Sequence, residues 1–379
     1  MLELKLHPLE LPLRHAWTIA HGTRTVQHNL VVELHDPETG LSGYGEAAAI
    51  PYFGVTMEKM VDALTPTSRM IDVNHGTGDE PFGWDAGRED FEVMIGDAMT
   101  ALHETGAPID FTATGNPQRY GAAAFFAICA LDEAMHDLWG KQTQTPVWKH
   151  WNLDLSTCPP SDYTIGMAEP DAMADKLNEF PNFPVYKIKL GTGSPETDLK
   201  LVERLRKETE ATFRVDANCA WTAEQAITIS GPLQQLGVEF IEQPLKREAS
   251  REEHEAVYFG SDLPIMADES CITESDVDAC AGVFHGVNIK LMKCGGMTPA
   301  RRMIARAREH GMKVMIGCMT ETTVGISAIG QLLPLLDYVD MDGALLLAKD
   351  VADGVKVGDD GVAVFPDTPG NGVTWHGLT

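Results

Sequence analysis

The first sixty residues alternate. LELKLHPLEL (2–11) and NLVVELHD (29–36) set apolar and polar residues in turn, and GLSGYGEA (40–47) joins turn-forming residues to another short run. A period of two is the mark of a strand with one buried face, so strands and turns are expected here. Residues 73–118 are polar and rich in Gly, Pro and acid, and are expected to be loops around one helix, DFEVMIGDAMTALHE (90–104). GAAAFFAICALDEAMHDLWGKQ (121–142) follows. Its small and apolar residues at helical spacing predict a helix packed on several sides.

From about residue 160 the pattern changes. Short apolar runs alternate with amphipathic stretches: YTIGM, VYKIKLG, FRVDAN, VEFIEQP, PIMADES, GVNIKLMKCGG, KVMIGCM and YVDMDG. Helical segments such as SPETDLKLVERLRKE, TAEQAITISGPLQQLG and PARRMIARAREHG lie between them. β-runs that are each followed by a crossover predict a parallel sheet. Eight units in roughly 200 residues fit a closed (β/α) barrel better than an open sheet. No GxGxxG follows the first run, which counts against a doubly wound dinucleotide fold. The fold class is therefore α/β. The tail GVAVFPDTPGNGV (361–373) has no helix to pair with and is expected to return to the N-terminal part.

Charge narrows the partners. Lys and Arg total 29 against 56 Asp and Glu, a net charge of −27. Such an excess argues against nucleic acid and against an anionic membrane surface. No stretch of 18 or more apolar residues appears, so no membrane span is predicted, and the opening residues lack a signal peptide's apolar core. The seven cysteines are scattered and never form CxxC. That favours a reduced, cytoplasmic protein.

The chemistry is carried by strand ends. Lys189, Asp216, Glu242, Asp268 and Lys293 stand 27, 26, 26 and 25 residues apart, one βα unit each. In a barrel, groups at the C-terminal ends of successive strands meet at one mouth. GCMTE (Glu321) and VDMDG (Asp340, Asp342) end the next two runs. Asp216, Glu242 and Asp268 packed together without a cation would repel one another. As an all-oxygen set they suit Mg²⁺ first and Mn²⁺ second; zinc is disfavoured because no His or Cys pair accompanies them. Lys187 and Lys189 share a strand face, and the like charge of Lys187 is expected to lower the pKa of Lys189 toward that of a general base. Lys293 is expected on the strand four units later, diametrically opposite in an eight-strand barrel. Two lysines so placed suit removal of a proton from one face of a carbon and its return to the other. The cation would hold the substrate carboxylate and stabilise the enolate.

The motifs KIK, VDAN, EQP, ADES and KCGG, in this order and spacing, resemble the enolase superfamily, in its muconate-lactonizing-enzyme subgroup. The resemblance implies a modified (β/α)7β TIM-type barrel (141–356) with an α+β capping domain (1–140) joined by the tail 357–379. It implies Asp216, Glu242 and Asp268 as Mg²⁺ ligands, Lys189 and Lys293 as the two acid/base groups, and Lys187 as a stabiliser of the enolate that also tunes Lys189. Asp340 and Asp342 look like the DxD pair with which dipeptide epimerases grip the substrate's α-ammonium; paired carboxylates suit a cation. DYTIGM resembles their first barrel strand and puts Thr164 near substrate. Arg24, beside His21 in AHGTRTV, matches the loop arginine of L-Ala-D/L-Glu epimerases, and a guanidinium suits a glutamate side chain.

The activity so implied is Mg²⁺-dependent epimerisation of the C-terminal residue of a dipeptide, best L-Ala-D/L-Glu from peptidoglycan turnover, in a homo-oligomer. The alternatives within the superfamily are o-succinylbenzoate synthase, N-acylamino-acid racemase and a muconate cycloisomerase-type enzyme. Their substrates have no free ammonium for a DxD pair to hold.

Overall fold

The computed structural model describes residues 2–19, 22–65, 99–100, 102–104 and 121–377. His21 and nearly all of the expected loop region 73–118 lie outside the described residues. The described part of the helix expected over 90–104, residues 99–100 and 102–104, is helical.

The alternating N-terminal runs form an antiparallel sheet of β1 (Glu3–Ile19), β2 (Gly22–Asp36) and β3 (Leu41–Ala48), in that order. The helix Ala122–Gln142 lies against β3. It comes close because β3 is SGYGEA: a Cβ on Gly43 would fall 2.2 Å from the Ala134 carbonyl oxygen, and one on Gly45 would fall 2.0 Å from that of Ala130. The helix is buried along most of its length, including its polar residues Asp132, Glu133, His136 and Asp137.

The eight later runs form a parallel sheet: β4 (Tyr163–Ile165), β5 (Val185–Lys189), β6 (Thr212–Asp216), β7 (Val238–Glu242), β8 (Ile265–Ala267), β9 (Gly286–Ile289), β10 (Lys313–Gly317) and β11 (Tyr338–Asp340). Neighbours follow chain order from β4 to β11. A parallel bridge between Ser161 and Val339, with the Asp162 N–H donating to the Val339 carbonyl at 3.2 Å, brings the two edges together. The strands are buried on both faces, which is why they read as short apolar runs and not as alternation. The crossover helices start where the sequence caps them. Ser194 accepts from the Thr197 N–H, and TAEQ and SREE make full capping boxes at Thr222 and Ser250.

The tail returns to the first sheet. Thr374–Trp375 pairs antiparallel with Ala352–Asp353, and the Trp375 ring stacks on Tyr44 of β3 at 5.6 Å. The loop after β10 is tied to the same sheet. The buried Glu46 of β3 accepts from the Thr322 and Gly325 N–H groups at 3.0 and 3.1 Å, at the start of the helix Thr323–Gly330. Asn29 of β2 donates to the Thr320 carbonyl at 3.0 Å. The sheet is thereby fixed over the C-terminal ends of the barrel strands.

Candidate active site and metal centre

Parallel register brings the charged strand ends into one row. Lys189 pairs with Asp216 across β5 and β6, and Asp216 with Glu242 across β6 and β7. Asp268 directly follows β8. Asp216, Glu242 and Asp268 are buried, and each offers an oxygen within 4.8 Å of the others. Lys187, one strand period before Lys189, is 1% exposed. Its Nζ lies 2.8 Å from Glu242 Oε2, 3.0 Å from Asp340 Oδ2 and 3.7 Å from Asp216 Oδ2. Burial pulls its pKa down, but these carboxylates outweigh burial and hold it well above the ordinary lysine range.

Lys189 departs from expectation. Its Nζ donates to Asp216 Oδ2 at 2.5 Å. Burial and the charge of Lys187 act to lower its pKa, but Asp216 outweighs both and Lys189 ends above the ordinary lysine value. Like-charge repulsion from a neighbour on the same strand is weaker than attraction to a carboxylate in contact.

The ninth strand also differs from the sequence reading. β9 ends at Ile289, Lys290 follows, and Lys293 lies in a short helix, Leu291–Cys294, beyond the strand. Asn288 faces inward and donates to Glu242 Oε1 at 2.8 Å. Lys290, two residues on, continues that face and donates to Asp268 Oδ2 at 2.9 Å. Lys293 donates to Asp268 Oδ1 at 2.8 Å, with its Nζ 5.4 Å from the Phe53 ring centroid. Burial acts to raise the Asp268 pKa, but Lys290, Lys293 and Lys187 hold it far below the carboxylate range.

The acidic pair lies between β11 and β4. The Thr164 N–H donates to Asp342 Oδ2 at 2.6 Å, and Thr164 Oγ1 is 3.4 Å from Asp340 Oδ1. Burial opposes ionisation of Asp340, but Lys187 and Lys189 keep its pKa low. Asp342 is pushed up to about 7 by burial and then by the charge of Asp340. From the N-terminal sheet, Arg24 Nη2 donates to Thr320 Oγ1 at 2.9 Å. Lys189, Lys290, Asp268, Asp340, Thr164 and Arg24 all line a single cavity. Glu321 does not line it. Glu321 turns toward Glu46, and burial, then Glu46, raises its pKa to about 8.

Residues 171–377 match the family model described as enolase C-terminal domain-like. An L-Ala-D/L-amino acid epimerase of a Maribacter species is 44% identical over 377 residues, covering 98% of this chain and 99% of the relative. The chain belongs to the dipeptide epimerases of the enolase superfamily. An L-Ala-D/L-Glu epimerase of Bacteroides thetaiotaomicron is 36% identical over 374 residues, 98% of this chain and 88% of its own. The crystal structure of a dipeptide epimerase from Enterococcus faecalis, complexed with Mg and L-Leu-L-Tyr, superposes with a TM-score of 0.78 at 26% identity, covering 98% of each chain.

For this superfamily member, the donor set decides whether a cation fits. Asp216, Glu242 and Asp268 supply hard oxygens with no nitrogen or sulfur among them, which suits a divalent ion of the Mg²⁺ type. Glu242 Oε2 is buried 2.8 Å from the Lys187 ammonium, and a Glu242 oxygen lies within 4.8 Å of oxygens of Asp216 and Asp268. Three buried carboxylates so close together suit a shared cation.

Two charged cavity residues escaped the sequence reading. Lys290 is 22 residues after Asp268, while Lys293 at 25 fits the regular interval better; the inward alternation of 286, 288 and 290 was the signal available. Glu269 lines the cavity beside Asp268, and burial, then Asp268, raises its pKa to about 7. As the second acid of ADES it had no spacing signal of its own.

Proposed function

We propose that this chain is a Mg²⁺-dependent dipeptide epimerase that inverts the α-carbon of the C-terminal residue by a two-base 1,1-proton transfer. One observation carries the reading: an acidic pair able to hold an ammonium, Asp340 and Asp342, shares a cavity with lysines drawn from opposite strands of the barrel. Asp216, Glu242 and Asp268 would hold Mg²⁺, whose positive charge beside the substrate carboxylate makes the α-proton more acidic. Asp340 and Asp342, oriented by Thr164, hold the α-ammonium and so fix the scissile Cα–H between the lysines. Lys189, neutral once Asp216 is engaged elsewhere, takes the proton from one face. We assign its return on the other face to Lys290, which follows β9, four strands from β5. Lys293, expected from the sequence in that role, lies beyond the strand and holds the second oxygen of Asp268. For the opposite stereoisomer the two amines exchange roles. Lys187 stays charged and stabilises the negative charge that builds on the substrate.

L-Ala-D/L-Glu leads as substrate because Arg24 lines the cavity and a guanidinium suits a glutamate carboxylate. A wider range of C-terminal residues is the second reading, favoured by Ile50, Phe53 and Met319 in the lining of the same cavity. The DxD pair disfavours the lyase and N-acylamino-acid racemase alternatives. The seven unpaired cysteines support a reducing compartment and, with this substrate, cytoplasmic peptidoglycan turnover. Stacking of Trp375 on Tyr44 supports a capping unit of 1–140 completed by 357–379 around a barrel of 141–356. The test is incubation with a dipeptide library in D₂O and Mg²⁺ while the α-proton is followed by NMR. Absence of exchange with every dipeptide overturns the assignment.

A further inference from the structure

Beside the acidic pair, the cavity ends at a wall that has a second recess behind it. Thr320 and Leu346 border both spaces. On the far side the recess is lined by Leu13, Tyr163 and Leu345 and by the charged or titratable Arg14, His15, Lys176 and Glu179, with room for about one water-sized group.

Leu346 has little freedom to move. It ends the 3₁₀ turn Gly343–Leu346, which begins directly after Asp342, and the Asp342 carbonyl accepts from the Leu345 N–H at 2.8 Å. The next residues are tied to β1. Arg14 Nε donates to the Leu347 carbonyl at 2.9 Å, the Ala348 N–H donates to the Pro12 carbonyl at 2.8 Å, and Leu13 bridges Leu347. Leu346 itself is 9% exposed. These contacts fix the backbone on both sides of Leu346, so the point from which its side chain enters the wall is set by the fold.

A dipeptide whose ammonium sits on Asp340 and Asp342 has its N-terminal Cα one bond away. The side chain on that carbon is therefore met by the cavity residues around the pair, among them Thr164, Cys318, whose Sγ lies 3.9 Å from each carboxylate, Thr320 and Leu346. We propose that Leu346 sets the size limit at the N-terminal position and restricts it to side chains no larger than about that of alanine. The inference rests on the reading of Asp340 and Asp342 as the ammonium site. It assigns a specificity-determining residue on the N-terminal side, separate from Arg24.

The test is a substrate series, Gly-, L-Ala-, L-Val- and L-Leu-, each joined to C-terminal L-Glu and to C-terminal L-Phe, with kcat/KM read from α-proton exchange. In the wild type, L-Leu- is expected to fall about 10- to 200-fold below L-Ala-. Leu346→Ala joins the cavity to the recess and is expected to narrow that ratio at least about tenfold. Leu346→Val, a smaller truncation, is expected to narrow it less and serves if the alanine variant does not fold. A wild type that handles L-Leu- and L-Ala- dipeptides equally well overturns the inference, as does an unchanged ratio in the variants. Absence of exchange with every member of both series overturns the dipeptide reading as well, which separates the two failures.

Discussion

Lys189 and Asp216 sit opposite one another in the β5–β6 register, and their side chains meet at 2.5 Å. The lysine to which we assign proton transfer is thus bound to a carboxylate to which we assign the cation. While that contact stands, Lys189 keeps its own proton, because Asp216 raises its pKa.

The first prediction follows. Removing divalent cations with EDTA is expected to abolish α-proton exchange, and adding Mg²⁺ back to restore it. Exchange that persists in EDTA at the wild-type rate would show that Lys189 is freed in some other way.

Lys189→Ala and Lys290→Ala are each expected to cut epimerisation by about 10²- to 10⁴-fold, the range for loss of a general acid or base. Each is expected to leave slow exchange of one stereoisomer, and not the same one. Lys293→Ala is expected to keep exchange with both isomers but to bind Mg²⁺ less tightly, since it loses the partner of Asp268 Oδ1. If Lys290→Ala retains wild-type turnover and Lys293→Ala does not, the acid/base role belongs to Lys293.

Asn288 touches the cation site only through Glu242, donating to Oε1 at 2.8 Å. Partners that orient a ligand typically contribute 10- to 100-fold in metal affinity. Asn288→Ala is expected to weaken Mg²⁺ binding by about that factor in calorimetric titration, with the fold intact by circular dichroism. Unchanged Mg²⁺ affinity would mean that Asn288 does not orient Glu242 for the cation.

These residues differ in how far the sequence reveals them. The eight barrel strands and the carboxylates at 216, 242 and 268 were legible because a βα unit repeats at a nearly constant length. Asp340 and Asp342 were legible because a strand sends alternate residues to one face. Constant length also favoured Lys293 as the strand-end residue, while β9 stops at Ile289, leaves Lys290 at the strand end and puts Lys293 in the following short helix, where it lines the same cavity. The Lys189 pKa was misjudged because the sequence shows its neighbour along the strand and hides its partner across it. The contacts of Glu46 with Thr322 and of Asn29 with Thr320 join residues almost 300 positions apart, and no local pattern marks them.

Asp342 supplies a pH dependence. With its pKa raised to about 7, much of it is protonated at pH 6 and ionised at pH 8. An ammonium is held by the ionised form, and the dipeptide's own amine keeps its proton until about pH 8, so KM for a free dipeptide is expected to fall as pH rises from 6 to about 7.5 and to rise again above about 8. Asp342→Asn is expected to remove the fall and to weaken binding by roughly 10- to 100-fold, the scale of a lost charged hydrogen bond. A KM that stays flat between pH 6 and about 7.5 in the wild type would contradict the role of Asp342.

Glu321 makes a separate claim, about stability. It is buried beside Glu46, and its pKa rises from 4.5 to about 8 because burial, and then the charge of Glu46, disfavour its ionised form. The folded protein therefore holds this proton where the unfolded chain has released it. The stabilisation is complete below pH 4.5 and is lost as pH rises toward 8. Glu321→Gln keeps an acceptor for the Met319 N–H, which donates to Glu321 Oε1 at 2.6 Å, and cannot ionise. The variant is expected to lose less melting temperature than the wild type between pH 6 and 8, by about 2–4 °C in a thermal scan. Parallel melting curves for the two proteins across that range would mean that Glu321 is already ionised in the fold, with a cation or water supplying the charge that burial denies it.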